Sequence, residues 1–129
     1  MIHDIVEIYA GDTYAFDNHA VLAEQNDKEL EALEKIFALL LEDDANEYKA
    51  LWVEFENNQT AEAKYSKAIE RVVSVLQNMQ NNGGSWVAYG KVPKEKVISR
   101  NAGLKDVAPE LWQYVKGQID LAVEKGWLV

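Results

Sequence analysis

His3, Asp4, Glu7 and Asp12 place one imidazole and three carboxylates within the first twelve residues of the chain, in an otherwise apolar stretch. These are the side chains that hold divalent cations and move protons. In a helix His3 and Glu7, four apart, project from one face, and Asp4 lies one position round from them. Gly11 ends such a helix and turns the chain, so Asp12 falls just past its C-terminus, near the His3 and Glu7 face. Read alone, the cluster fits either a metal and proton-transfer site or a hydrogen-bonded structural histidine among chance acids.

The elements that must position these residues follow from apolar spacing. Met1, Ile5 and Ile8, with Ile2, Val6 and Tyr9, give the opening helix a broad apolar band, and no polar N-cap precedes it. Residues 13–26 show no sustained period and predict a loop at the mouth of the site. His19 falls in that loop, as a solvated side chain or a substitute ligand. From Asp27 the steps Leu30, Leu33, Ile36, Phe37 and Leu40 predict a helix ending near Leu41. Glu42, Asp43 and Asp44 read more simply as the negative first turn of the next helix than as a cation site. That helix carries Tyr48, Leu51, Trp52 and Phe55, and Asn57 with Asn58 closes it.

Thr60 is the expected cap of a long helix with a core stripe of Tyr65, Ile69, Val72, Val73, Leu76 and Met79. Glu70 sits at the edge of this stripe beside Lys67 and Arg71, where the residues alone suggest a surface ion pair. Residues 81–85 break the helix, and Trp86 with Tyr89 is expected to pack the following loop onto the core. Pro93 opens a short helix through about Asn101. Pro109 opens the last, with Leu111, Trp112, Val115, Ile119, Ala122 and Val123 on its apolar face, and Gly126 ends it. No strand alternation exceeds four residues. The expectation is all-α: a single compact bundle of about six helices, one domain over residues 1–129.

A formal charge of −9, from 22 acidic and 13 basic residues, opposes binding to phosphate backbones and argues against a nucleic-acid polymer as partner. With no cysteine there is no disulfide, zinc finger or thiol nucleophile. No stretch is apolar and long enough to span a membrane, and the N-terminus lacks the basic region of a signal peptide, so the expected setting is cytoplasmic.

The run from His3-Asp4 through Glu7 and Gly11-Asp12 to Asp17 resembles the signature segment of the HD-domain metal-dependent phosphohydrolases, in the branch that includes the 5'-deoxynucleotidases. Leu51-Trp52, Glu54-Phe55-Glu56, Thr60, Glu62-Ala63-Lys64, Ala68-Ile69-Glu70-Arg71, Ser85-Trp86 and Ser99-Arg100-Asn101 resemble later segments of that family in the same order. The resemblance implies hydrolysis of a phosphomonoester such as a nucleoside monophosphate. It assigns the metal to His3, Asp4 and Glu70, the general base or water-orienting role to Glu7, and an anchoring role to Asp12. The ion would be manganese, cobalt, iron or magnesium.

Two departures accompany the match. The family's first metal-binding histidine comes from an upstream helix that this chain begins too late to contain, which implies an N-terminally shortened domain and a weakly bound metal. Its distant aspartate is replaced by Glu70, one methylene longer. A competing reading of another class is therefore an HD-like domain, catalytically impaired, that serves as an interaction or scaffold protein. The apolar circumference of the opening helix further predicts a homodimer through that helix, since exposing two or three such side chains would cost several kcal/mol at about 25 cal/mol per Å².

Overall fold

Every regular element among the described residues is helical in the computed structural model, which describes residues 2–17, 19–90 and 92–129 and leaves the side chain of His19 undescribed. The chain divides into two compact units, Met1–Gln59 and Thr60–Val129.

The first unit contains α1 (Ile2–Ile5), α2 (Glu7–Ala10), α3 (His19–Phe37) and α4 (Glu42–Asn57). Val6, between α1 and α2, keeps a helical backbone, with φ −63° and ψ −31°. Its carbonyl accepts hydrogen bonds from the N–H groups of Tyr9 and Ala10 at 3.2 and 3.1 Å. The expected opening helix thus forms as two short turns joined at Val6. Val6 is buried with Ala32, Leu33 and Phe37 of α3 and Ala45 and Trp52 of α4, and Ile2, Ala10 and Ile36 pack against this cluster. The band splits accordingly: Val6 faces inward, whereas Ile5, Ile8 and Tyr9 are exposed. Met1 lies outside the described residues.

One boundary differs clearly from expectation. Helix α3 starts at His19 rather than Asp27, so the loop at the site is much shorter than residues 13–26. Alanine and glutamine are good helix formers that carry no strong apolar period. Gln25, a buried polar residue, interrupts the pattern that would otherwise mark the inner face. Helix α4 follows expectation more closely: Glu42, Asp43 and Asp44 form its first turn. Asn58 closes it in the left-handed region at φ 51°, with its N–H on the carbonyl of Glu54. Tyr48 and Leu51 are exposed rather than core, and Phe37 stacks on Tyr48 with centroids 6.3 Å apart.

The second unit contains α5 (Ala61–Gln80), α6 (Gly84–Ala88), α7 (Lys94–Asn101), α8 (Leu104–Val107) and α9 (Pro109–Glu124). The Thr60 hydroxyl caps α5 by accepting from the N–H of Ala63 at 3.2 Å. The buried face of α5 is Ala63, Ala68, Val72 and Val75, while Tyr65 and Val73 are exposed. The expected stripe was rotated because it followed the large residues and passed over the alanines, whose small side chains let helices approach closely. Trp86 is buried, whereas Tyr89 is exposed. Gly83, at φ 92°, is required where it stands, because a Cβ there would lie 2.5 Å from Val87 and 2.8 Å from Trp127. Pro109 occupies the start of α9, whose Trp112, Val115, Ile119 and Ala122 are buried.

Candidate active site

Helix α1 packs on α4, and that packing sets the surroundings of His3. Each of its ring nitrogens meets a carboxylate. Nδ1 lies 3.0 Å from Oδ1 of Asp4, and Nε2 lies 2.9 Å from Oε1 of Glu56, near the end of α4. The neighbouring Phe55 contacts the imidazole face, with centroids 4.3 Å apart and a 45° tilt. The ring is therefore held at both edges and on one face.

Glu7 opens α2 and is half-buried. Burial pushes its carboxyl above the usual range, and the charges of Asp12, Asp4 and Glu29 push the same way against the opposing pull of His3. These interactions place His3, Asp4, Glu7 and Asp12 in one electrostatic neighbourhood, as the spacing predicts. Glu29 of α3 belongs to it as well. Burial raises its pKa, and the charges of Glu56 and Asp12 add to that, while a hydrogen bond from Gln25 and the charge of His3 lower it.

Gly11 ends α2 at φ 73°, with its N–H on the carbonyl of Glu7 at 2.8 Å. Gln25 then fixes the turn that carries Asp12. Its amide donates to the carbonyl of Gly11 at 2.6 Å and to Glu29 at 3.2 Å, and its oxygen accepts from the Thr13 hydroxyl at 2.9 Å. Asp12 itself is exposed.

Sequence spacing missed Gln25, Glu29 and Glu56. Glu56 lay within a segment that carried the family resemblance, but nothing local linked it to His3. Gln25 and Glu29 are four apart on α3, a spacing that shares a face, but the expected boundary at Asp27 divides them, with Gln25 in the loop and Glu29 in the helix.

Glu70 is exposed on α5, in the second unit. Its neighbour Arg71 donates to the backbone carbonyl of Arg100 at 2.8 Å. The possible ligand role of His19 lies outside the described side chains.

The donor geometry can be compared with what a divalent ion requires. Two ligands about 2.1 Å from an ion, at adjacent corners of an octahedron, stand about 3.0 Å apart. Nδ1 of His3 and Oδ1 of Asp4 have that separation. Their donor types, one nitrogen and one carboxylate oxygen, suit manganese, cobalt, iron or magnesium. Among the described residues, no group of three or more His, Asp or Glu side chains is set to hold a metal ion. The pair fits two corners of a coordination shell.

The model of the HD domain family matches residues 1–112. The chain belongs to the HD-domain family. A crystal structure of a predicted metal-dependent phosphohydrolase from Magnetospirillum magnetotacticum MS-1 superposes with a TM-score of 0.85 at 36% identity, covering 99% of this chain and 64% of that one. The fold is thus the all-α HD phosphohydrolase fold. The human protein named 5'-deoxynucleotidase HDDC2 is 36% identical over 77 residues, 60% of this chain and 37% of its own length. Its Xenopus laevis counterpart is 35% identical over 80 residues, 62% of this chain and 39% of its own. The chain therefore spans well under half the length of the curated relatives it matches. No helix of the described residues is long and apolar enough to cross a membrane.

Proposed function

We propose that this HD domain is a metal-dependent phosphohydrolase that cleaves a phosphomonoester, with a nucleoside 5'-monophosphate as substrate. The observation that carries the reading is a carboxyl of raised pKa, Glu7, beside the His3 and Asp4 pair. A general base works best when its pKa lies near the working pH, and burial moves Glu7 in that direction. A bound divalent ion supplies charge stabilisation at the phosphoryl oxygens and acidifies water.

In the proposed reaction Glu7 orients the attacking water and takes its proton as the water oxygen bonds to phosphorus. The phosphorus–oxygen ester bond breaks, and the departing nucleoside oxygen takes a proton from solvent, to which Glu7 releases the one it accepted. Asp12, on the turn fixed by Gln25, anchors the Glu7 end of the site. His3 and Asp4 hold the ion, and the family resemblance assigns Glu70 as the third ligand. Three protein ligands make weak binding the expectation, and the ion is manganese, cobalt, iron or magnesium.

The nucleotide substrate is inferred from relatives named 5'-deoxynucleotidase. The cysteine-free sequence suits a reducing, cytoplasmic setting. Residues 1–129 are read as one working HD-like domain. The chain is further proposed to form a homodimer through the N-terminal helix, which is supported by Ile8 at 72% and Tyr9 at 59% exposure. Light scattering that returned a monomer at micromolar concentration would reject the dimer.

The deciding experiment is phosphate release from a panel of deoxynucleoside and ribonucleoside 5'-monophosphates with added Mn²⁺, Co²⁺ or Mg²⁺. The expected result is release that requires metal and is lost on chelation and in His3→Ala. Release indifferent to chelator and to His3 would overturn the proposal.

A further inference from the structure

We propose that Asn82 is a site of spontaneous deamidation that the folded second unit keeps closed: the amide is lost only when the turn after α5 opens, and the isoaspartate that results cannot rebuild that turn. The inference is independent of the phosphohydrolase reading.

Asn82 is the only asparagine in the sequence followed by glycine, and that pair has a chemistry of its own. The glycine nitrogen, unshielded by a side chain, attacks the asparagine Cγ. A new carbon–nitrogen bond closes a five-membered succinimide, and the carbon–nitrogen bond of the side-chain amide breaks. The departing nitrogen leaves as ammonia, carrying the proton given up by the glycine N–H. Water then opens the ring at either carbonyl. One opening leaves aspartate; the other leaves isoaspartate, whose backbone runs through the former side chain and is one methylene longer.

Three features of the turn withhold the nucleophile. The Gly83 N–H donates to the carbonyl of Asn78 at 2.8 Å, so that bond must break before the nitrogen can give up its proton. Gly83 is buried, although Asn82 is exposed. A Cβ on Gly83 would lie 2.5 Å from Val87 and 2.8 Å from Trp127, which leaves this residue no room to swing toward its neighbour's side chain. The turn is also clamped from beyond. The Asn78 side-chain oxygen accepts from the Ser85 N–H at 2.7 Å and from its hydroxyl at 3.1 Å, while the Asn78 amide donates to the carbonyl of Ser74 at 3.0 Å. Water thus reaches Asn82, but the reacting nitrogen is locked behind it until the turn opens.

The same contacts make the step one-way. Asn82 has φ 53°, a left-handed conformation that asparagine tolerates, and Gly83 and Gly84 continue it at 92° and 41°. An added methylene between Asn82 and Gly83 displaces the glycine from the register in which it meets Asn78 and Trp127. The new carboxylate also stands just past the C-terminus of the 20-residue α5, where the helix dipole disfavours negative charge.

The test incubates the full chain at mildly alkaline pH, folded and unfolded in urea, and follows position 82 by peptide mapping that separates isoaspartate from aspartate. The folded chain should deamidate there at least about tenfold more slowly than the unfolded one, the factor that breaking a single turn hydrogen bond supplies. Equal rates would overturn the proposal. Asn78→Ala releases Ser85 but keeps the Asn78 carbonyl, and should raise the folded rate without changing the unfolded one. A variant shown by circular dichroism to be folded, yet as slow as the wild type, would also overturn it. A further measurement needs no variant: in urea below the unfolding transition, the wild-type rate should rise in step with hydrogen exchange at the Gly83 N–H, and a rate indifferent to that exchange would count against the lock. Finally, the isolated isoaspartate form should unfold at lower urea than Asn82→Asp, which carries the same charge on a normal backbone. Equal midpoints would overturn the one-way claim.

Discussion

Glu7 and Glu29 hold their protons more tightly in the folded chain than their ordinary value of 4.5, chiefly because burial disfavours the charged form. Between the unfolded and folded pKa values the native state binds the extra proton. Their contribution to stability is therefore fully present below the unfolded pKa and is lost as pH rises through the folded one. Glu29→Gln, which keeps an acceptor for Gln25, should raise stability at neutral pH and flatten that slope. Urea denaturation at several pH values between 4 and 8 checks this, and a slope as steep as the wild type's would contradict it. Glu7→Gln is expected to do the same for stability while lowering kcat by about 10²- to 10⁴-fold, the range for loss of a general base. Steady-state kinetics on the best nucleotide substrate would show that split between stability and turnover.

At the level of helices, the capping and packing of each unit make separate claims. Thr60→Ala removes the hydroxyl that accepts from Ala63 and should cost about 1 kcal/mol. Trp52→Ala should cost about 3–5 kcal/mol, because the indole is buried in the first unit's core. Chemical denaturation measures both. The helices whose large apolar residues recur at three and four were legible in the sequence, as were the Thr60 cap, the Asn58 stop and Pro109 at the head of α9. Small and polar inward residues were not: Gln25 concealed the start of α3, and Ala63 and Ala68 concealed the true face of α5. The same division holds at the site. His3, Asp4, Glu7 and Asp12 lie within one short stretch whose spacing could be read directly. Glu29 and Glu56 reach His3 or Glu7 only through the packing of α3 and α4, which no local period encodes.

For the molecule as a whole, an excess of acids with net charge −9 gathers part of its repulsion around His3, where Asp4, Glu7, Asp12, Glu29 and Glu56 meet. A divalent cation that binds there should stabilise the fold by about 2.7 kcal/mol at a hundred times its Kd. Thermal unfolding should shift upward with Mn²⁺ but not with sodium chloride of equal ionic strength, and Asp4→Asn should abolish most of the difference.

The core of the first unit also makes such measurements easy to read. Trp52 is buried there, while the other three tryptophans, Trp86, Trp112 and Trp127, all belong to the second unit. A protein with those three replaced by phenylalanine would emit from Trp52 alone. Its fluorescence then becomes an optical channel for the half of the chain that carries the HD pair, and comparison with circular dichroism would show whether the two halves melt as one cooperative body or in sequence.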